Sequence, residues 1–403
     1  MPGSFYCQDG DMEQIFVSDY ATIDQFAATG SLWAWGYNNY GQSGTNSSGG
    51  STRSPVQTIS SGTNWKQIAC GYAHAAAIKT DGTFWNWGRG TQAQLGDNTS
   101  LSKPSPVQTI SGGTNWLTAS AGGNNTGAIK TDGTLWMWGN NSYGQIGDNT
   151  ITGKSSPVQT IASGNNWKQL SIGNVLVSAI KWDGSLWIWG KNSYGSLGDN
   201  TITRKSSPIQ TVAGGTNWKQ VSCGYGHTAA IKTNGTLWTW GCNSYGQLGD
   251  TTIAHKSSPI QTIAGGTNWK QVASSPGGSN LAYTAAIKTD GTLWSWGVNT
   301  YGQLGDNTNS NSKSSPVQTI SGGTNWKQVS TSQYTTLAIK TDGTLWAFGY
   351  NSFAGIGDNT TIGKSSPVQT VAGGTNWKQV AGGGYFTEAI YFYDAGLPLY
   401  PNS

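Results

Sequence analysis

Charge is what this chain has least of. Only 10% of its 403 residues are Asp, Glu, Lys or Arg, well below the usual share for a soluble domain. Twenty-two basic residues against eighteen acidic ones leave a formal charge of +4, and the lysines recur once per motif beside an Asp instead of forming runs. A nucleic-acid binder needs a concentrated basic face, so no nucleic-acid partner is expected. The three histidines and four cysteines (Cys7, Cys70, Cys223, Cys242) have no ligand-type spacing, so neither a metal site nor a disulfide framework is expected. Residues 1–26 hold five acids (Asp9, Asp11, Glu13, Asp19, Asp24) and no Lys or Arg. They therefore lack the positive and apolar regions of an export signal. No apolar run approaches the roughly 20 residues that span a bilayer, so no membrane insertion is expected, and the chain reaches a cell exterior only by lysis or on a particle.

What is plentiful is glycine (59), tryptophan (21) and repetition. The element Leu/Phe-Trp-x-Trp-Gly has its first Trp at Trp33, Trp85, Trp136, Trp187, Trp238, Trp294 and Trp346. Asn-Trp recurs at Trp65, Trp116, Trp167, Trp218, Trp269, Trp326 and Trp377, and Ser-Pro-Val/Ile-Gln-Thr has prolines from Pro55 to Pro367; only Trp182 stands outside the repeat. Periods near fifty residues mark propellers and solenoids, whose units bury their faces only against neighbours. Within a unit, Asn-Trp-Lys-Gln-Val and Ala-Ala-Ile-Lys-Thr alternate apolar with polar. Asp-Gly follows as a two-residue hairpin signal, Gly-Thr-Leu-Trp-x-Trp-Gly resumes the alternation, and a Pro-led fourth strand comes after a Gly/Asn-rich loop. The pattern predicts an all-β, seven-bladed β-propeller of four-stranded antiparallel blades over residues 27–393. The chain starts and ends in mid-unit, so the terminal halves are expected to pair and close the ring. Residues 1–26 and 394–403 fall outside the repeat.

The run Gly224 to Gly249, Gly-Tyr-Gly-His-Thr-Ala-Ala-Ile-Lys-Thr-Asn-Gly-Thr-Leu-Trp-Thr-Trp-Gly-Cys-Asn-Ser-Tyr-Gly-Gln-Leu-Gly, resembles the repeat of the regulator of chromosome condensation family. The resemblance covers residues 27–393 and implies a seven-bladed propeller. Family members range from an exchange factor for a Ran-type GTPase on chromatin to secreted inhibitors of β-lactamase, so the fold leaves the function open.

Catalytic readings find little support. One Asp per hairpin and one per loop supply carboxylates, the raw material of glycoside hydrolysis, but residues that every turn requires are scaffold first. Gly147 to Ser156 imitates a phosphate-binding loop with one residue too many and no helix signal after it. The chain is therefore expected to be no enzyme and to hold no cofactor.

The copies diverge mainly in the connection between the first and second strands. If these connections gather at one mouth of the ring, they present Tyr72, His74, Asn124, Asn125, Asn174, Tyr225, His227, Asn280, Tyr283, Gln333, Tyr334, Tyr385 and Phe386 as a binding surface for protein or glycan. For His74 and His227, inner-strand hydrogen bonding is the competing structural role. The loops between Gly-Asp-Asn-Thr and Lys-Ser-Ser-Pro read as solvated. Ile15, Val17 and Tyr20 in the leader, with Leu397, Leu399 and Tyr400 in the tail, are attachment candidates.

The expectation is a binding and structural module of a virion, such as a phage tail, fibre or decoration protein. It would dock to other structural proteins, possess an oligomeric setting within the assembly, and recognise a host-surface protein or glycan. The alternatives are a cytoplasmic regulator of a small GTPase and an enzyme-inhibiting propeller. The only insertion available as an exchange-factor wedge, Ser274 to Tyr283, is short.

Overall fold

A computed structural model describes residues 30–393 apart from 60–61, 162–163, 279 and 321–322. The leader and tail positions Ile15, Val17, Tyr20, Leu397, Leu399 and Tyr400 lie outside the described residues. The described chain forms seven four-stranded antiparallel sheets arranged as a ring. Blades 1 to 6 cover residues 65–108, 116–159, 167–210, 218–261, 269–318 and 326–369. Blade 7 joins the two ends of the sequence: Trp377–Gly382 and Phe386–Phe392 supply its two inner strands, and Gly30–Tyr37 and Ser51–Gln57 its two outer ones. Pairing runs from Gly30 against Phe392 to Gly36 against Phe386, so the second strand of blade 7 is not left as an open edge.

Each innermost strand opens on the Trp of Asn-Trp. That ring packs edge-on against the third-strand tryptophans of its own blade, as Trp218 does on Trp238 and Trp240 at 6.4 and 6.2 Å. The second Trp of Trp-x-Trp-Gly is fully buried and reaches the preceding blade: Trp240 Nε1 donates to Ser196 O at 2.8 Å, and Trp138 Nε1 to Gln94 O at 3.0 Å. Phe348 replaces this Trp in blade 6 and keeps the ring without the bond. The first Trp is only half-buried. Its indole donates to the turn hydroxyl two residues earlier, and the lysine ending the second strand lies over both first-strand and third-strand rings, as Lys232 does at 4.7 and 4.6 Å.

Glutamines of the innermost strands stitch neighbouring blades. Gln220 Nε2 donates to Val272 O at 3.1 Å and Gln220 Oε1 accepts from the Val272 amide at 2.9 Å. The same pair recurs between Gln271 and Val329, and across the closure between Gln379 and Ile68. A side-chain amide here mimics a backbone peptide, so sheets that meet face to face still satisfy their buried polar groups. Blade 2 departs from the pattern, with Leu117 and Thr118 where the others carry Lys and Gln.

Candidate functional site

The first-to-second-strand connections gather at one mouth. In each blade the amide after Trp-x-Trp-Gly donates to the last residue of that connection, as Arg89 does to Ala73 O, Lys191 to Val175 O and Tyr350 to Tyr334 O. Connections also bond to one another around the ring: Tyr72 to Gly123 O, Asn174 to Gly224 O, Tyr225 to Ser275 O, Gln333 to Gly383 O and Gly384 to Tyr72 O. The condition attached to the divergent connections is thereby met.

The candidates divide in two. Tyr72, 37% exposed, and exposed Asn280 face outward, while Asn124, Asn174, Tyr225, Gln333, Tyr334 and Tyr385 are half-buried. His74, Asn125, His227, Tyr283 and Phe386 are buried and do not form surface, a correction to the expected set. Each opens a second strand, where the side chain turns in between blades. His74 Nε2 pairs with Thr126 Oγ1 at 2.9 Å and His227 Nε2 with Thr284 Oγ1 at 3.1 Å. Burial lowers these imidazoles to about 3 and about 4, so both are neutral structural groups, as the competing reading has it. A Cβ on Gly71 would fall 2.0 Å from the His74 ring, which accounts for glycine there. Tyr283 donates its hydroxyl to Thr335 O at 2.9 Å.

The outward set is continued by aromatics that the divergent connections alone do not disclose. Where one blade meets the next, the residue after Trp-x-Trp-Gly covers the Tyr of the preceding Tyr-Gly-Gln loop. Between blades 7 and 1 the slot holds Arg89 over Tyr40 at 5.4 Å, and between 2 and 3 Lys191 over Tyr143 at 5.0 Å. Between 1 and 2 it is an amide pair, with Asn140 Nδ2 donating to Gln92 Oε1. Between blades 5 and 6 it holds Tyr350 on Tyr301 at 4.9 Å, and between 6 and 7 Tyr37 on Phe353 at 5.2 Å. These rings run on into Tyr334 and Tyr385, stacked at 5.0 Å with 20° between planes, and then to Tyr72.

The result is an arc of seven aromatic rings over blades 5, 6, 7 and 1. Tyr385 donates its hydroxyl to that of Tyr334, and burial, reinforced by neighbouring phenols, raises the Tyr385 pKa. A cleft of about 340 Å³ opens beside the arc between Tyr301 and Tyr350, with Asn309, Ser352 and Ser365 on its walls. The sequence signal for the arc was available: only the first and last copies carry Tyr, at Tyr37 and Tyr350, directly after the third strand.

The insertion in blade 5 bends inward. Pro276 lines the central channel and its carbonyl accepts from Asn174 Nδ2 of blade 3 at 3.3 Å, which ties the start of the insertion to the mouth two blades away. The channel below it, about 190 Å³, is lined by small residues including Cys70, Ser120, Ser171, Ser222 and Cys223. Burial pushes the Cys223 thiol up to about 12, so it is an unreactive one.

Carboxylates serve the scaffold. In each loop the Asp caps the Thr two residues on and pairs with the lysine that opens the fourth strand, as in Asp199 to Lys205 at 3.5 Å and Asp148 to Lys154 at 3.1 Å. The phosphate-loop imitation at Gly147 to Ser156 is thus occupied by its own ion pair. Each hairpin Asp caps the following Thr or Ser, as Asp81 does Thr83. Among the described residues, no three His, Cys, Asp or Glu side chains come together as a metal site would require, and no helix is long and apolar enough to cross a membrane.

Comparison with known proteins places this architecture. The pattern described as RCC1-like domain matches residues 2–277, and regulator of chromosome condensation (RCC1) repeats match residues 290–339 and 326–354. The ultraviolet-B receptor UVR8 of Arabidopsis thaliana is 31% identical over 68% of this chain and 62% of its own length. The mitochondrial RCC1 domain-containing protein RUG3 of the same plant is 29% identical over 68% of this chain and 63% of its own. The match therefore spans less than two thirds of either relative. Among solved structures, Prp20p of Saccharomyces cerevisiae, described with its binding to Gsp1p and histones, superposes with a TM-score of 0.79 at 16% identity over 92% of this chain and 93% of that one. Human WBSCR16 gives 0.77 at 20% identity over 90% and 99%. At these identities the structural likeness concerns the fold alone.

Proposed function

The chain belongs to the family of RCC1-like propellers, and from that premise we propose that it is a non-enzymatic binding module that engages another protein through the mouth carrying the divergent connections. The observation that carries this reading is the arc of Tyr37, Tyr72, Tyr301, Tyr334, Tyr350, Phe353 and Tyr385. Tyrosine is suited to recognition because it offers a rigid apolar face and a polar tip at small entropic cost. Half-exposed rings already stacked on one another need little ordering on binding. Protein binding also accords with Prp20p, which is described as binding Gsp1p and histones.

A photo-cross-linker at position 225, within the mouth, and one at position 212, away from it, test the reading in the native source. Adducts are expected at 225 and to be lost in a Tyr350→Ala, Tyr385→Ala double variant that stays folded. Equal labelling at both positions would sink it.

The finer reading, a virion component held by its non-repeat ends, is supported by one feature. Gly30 and Phe392, the blade 7 residues that come just after the leader and just before the tail in sequence, pair with each other at the end of the blade away from the mouth, so attachment through the ends would leave the mouth outward. Electron microscopy of the native source tests it, with density of defined symmetry on a particle expected and lone rings counting against it.

A further inference from the structure

We propose that the cleft between blades 5 and 6 is a binding site for an uncharged pyranose ring, the terminal sugar of a glycan. This site adds to the protein-binding reading and does not depend on it. In other copies the corresponding slot is filled by the repeat itself. Between blades 2 and 3, Arg204 stands just before the lysine that opens the fourth strand, and its Nη1 donates to Ser142 O at 3.2 Å. Between blades 3 and 4, His255 holds the same repeat position, packs on Tyr194 at 5.1 Å and accepts from the Asn243 amide at 2.9 Å. Between blades 1 and 2 that position is Gly153, and Asn140 bonded to Gln92 spans the slot instead.

Three departures from the repeat converge between blades 5 and 6. Gly363 stands where the sister copies have Arg204 and His255, so no side chain enters from that position. Tyr350 takes the place of Lys191, and its ring meets Tyr301 edge-on at 4.9 Å, while Tyr301 stays 37% exposed. Asn309 takes the place of Ile151, Ile202 and Ile253 in a longer loop: Asp306 and its partner Lys313 are seven residues apart, where Asp199 and Lys205 are six. The outcome is an opening of about 340 Å³ with Thr300, Asn309, Ser352 and Ser365 around the two rings.

The lining selects the ligand. The volume falls near the lower end of the roughly 300–1,000 Å³ of small-molecule sites. No charged side chain lines the cleft, and the ions of its two loops are already paired, Asp306 with Lys313 and Asp358 with Lys364. An ionic ligand would give up hydration there without gaining a counter-charge. The phenol rings offer apolar faces to sugar C–H groups. The Asn309 amide and the Ser352 hydroxyl bond to no protein group among the described residues, so both are open to sugar hydroxyls. Asn351, also on the wall, is committed to Asp358, Thr360 and the Ile356 amide, which holds the loop in place without a ligand.

Saturation-transfer NMR on the purified full chain tests this, with methyl glucoside, methyl galactoside, methyl mannoside and N-acetylglucosamine as neutral probes. N-acetylneuraminate and adenosine serve as the charged and the planar controls. At least one neutral probe is expected to receive saturation on its ring C–H protons, with a Kd on the order of millimolar for so small a ligand. Binding should weaken at least about tenfold in Tyr301→Ala and in Gly363→Arg. The second variant copies Arg204, and Gly363 has no positive φ to forbid a side chain. Tyr143→Ala, the same repeat position in a filled slot, should bind as the native chain does. Saturation of no neutral probe at about 50 mM, affinity unchanged in both cleft variants, or saturation of a control alone overturns the proposal. No protein partner enters this assay, so its failure leaves the cross-linking result at position 225 standing.

Discussion

The two mouths of this ring are written by the same seven repeats, yet they differ in kind. At one, copies diverge, every loop Asp is paired with a lysine, and the surface is split between aromatic slots at blades 5 to 7 and cation-capped slots at blades 7/1 and 2/3. At the other, copies agree: the lysine directly after the first-strand Trp recurs in six of the seven repeats, with Leu117 in its place in blade 2. Divergence makes a directional surface, and repetition makes a symmetric one.

Both mouths depend on one scaffold, and removing a strut is expected to have the largest effect. Trp240→Ala deletes a fully buried ring and its bond to Ser196 O, at a cost of about 3–5 kcal/mol. Denaturant melts should show one cooperative transition moved down. Loss of structure in blades 3 and 4 alone would mean that the mouths are separable units.

Next comes the closure. Glu388 is fully buried in blade 7; Oε1 accepts from Trp87 Nε1 of blade 1 at 3.1 Å, Oε2 has no partner, and burial raises its pKa well above the usual value. A raised carboxyl pKa contributes stability fully present below the unfolded value near 4.5 and lost as pH rises through the folded one. Glu388→Gln is therefore expected to melt like the native chain at pH 4 and to be the more stable at pH 8, by about 1.4 kcal/mol for every tenfold by which folding tightens the carboxyl's hold on its proton. A pH-independent difference would show that the carboxyl does not titrate across folding.

A smaller change is expected at the divergent mouth. Asn351 Nδ2 donates to Asp358, Thr360 and Ile362, and its Oδ1 accepts from the Ile356 amide. Asn351→Ala should cost about 1–3 kcal/mol and raise amide exchange over 352–362 while leaving that of blades 1 to 3 unchanged. Least of all, Lys205→Gln removes a partly exposed ion pair with Asp199 and should change stability by about 0–1 kcal/mol. A larger loss would mean that these pairs, and not the Asn-centred bonds, hold the mouth.

Much of the fold was legible in the sequence. Trp-x-Trp-Gly, the Asp-Gly turn and the half-units at each end named the strands, the blade count and the closure, because period and turn chemistry are local properties of the chain. That the divergent connections gather at one mouth was only a condition in the sequence, and the hydrogen bonds between neighbouring connections meet it. Which of their residues face out was not legible, since His74, His227, Tyr283 and Phe386 sit one position into a strand, and a single step there sends a side chain between blades. The partnership of Tyr301 with Tyr350, and of Tyr37 with Phe353, was hidden because the partners belong to different repeats. The sequence determined the unit and the number of units, whereas only ring closure decided which side chains of separate units meet, because adjacency around a circle is set by blade packing and not by distance along the chain.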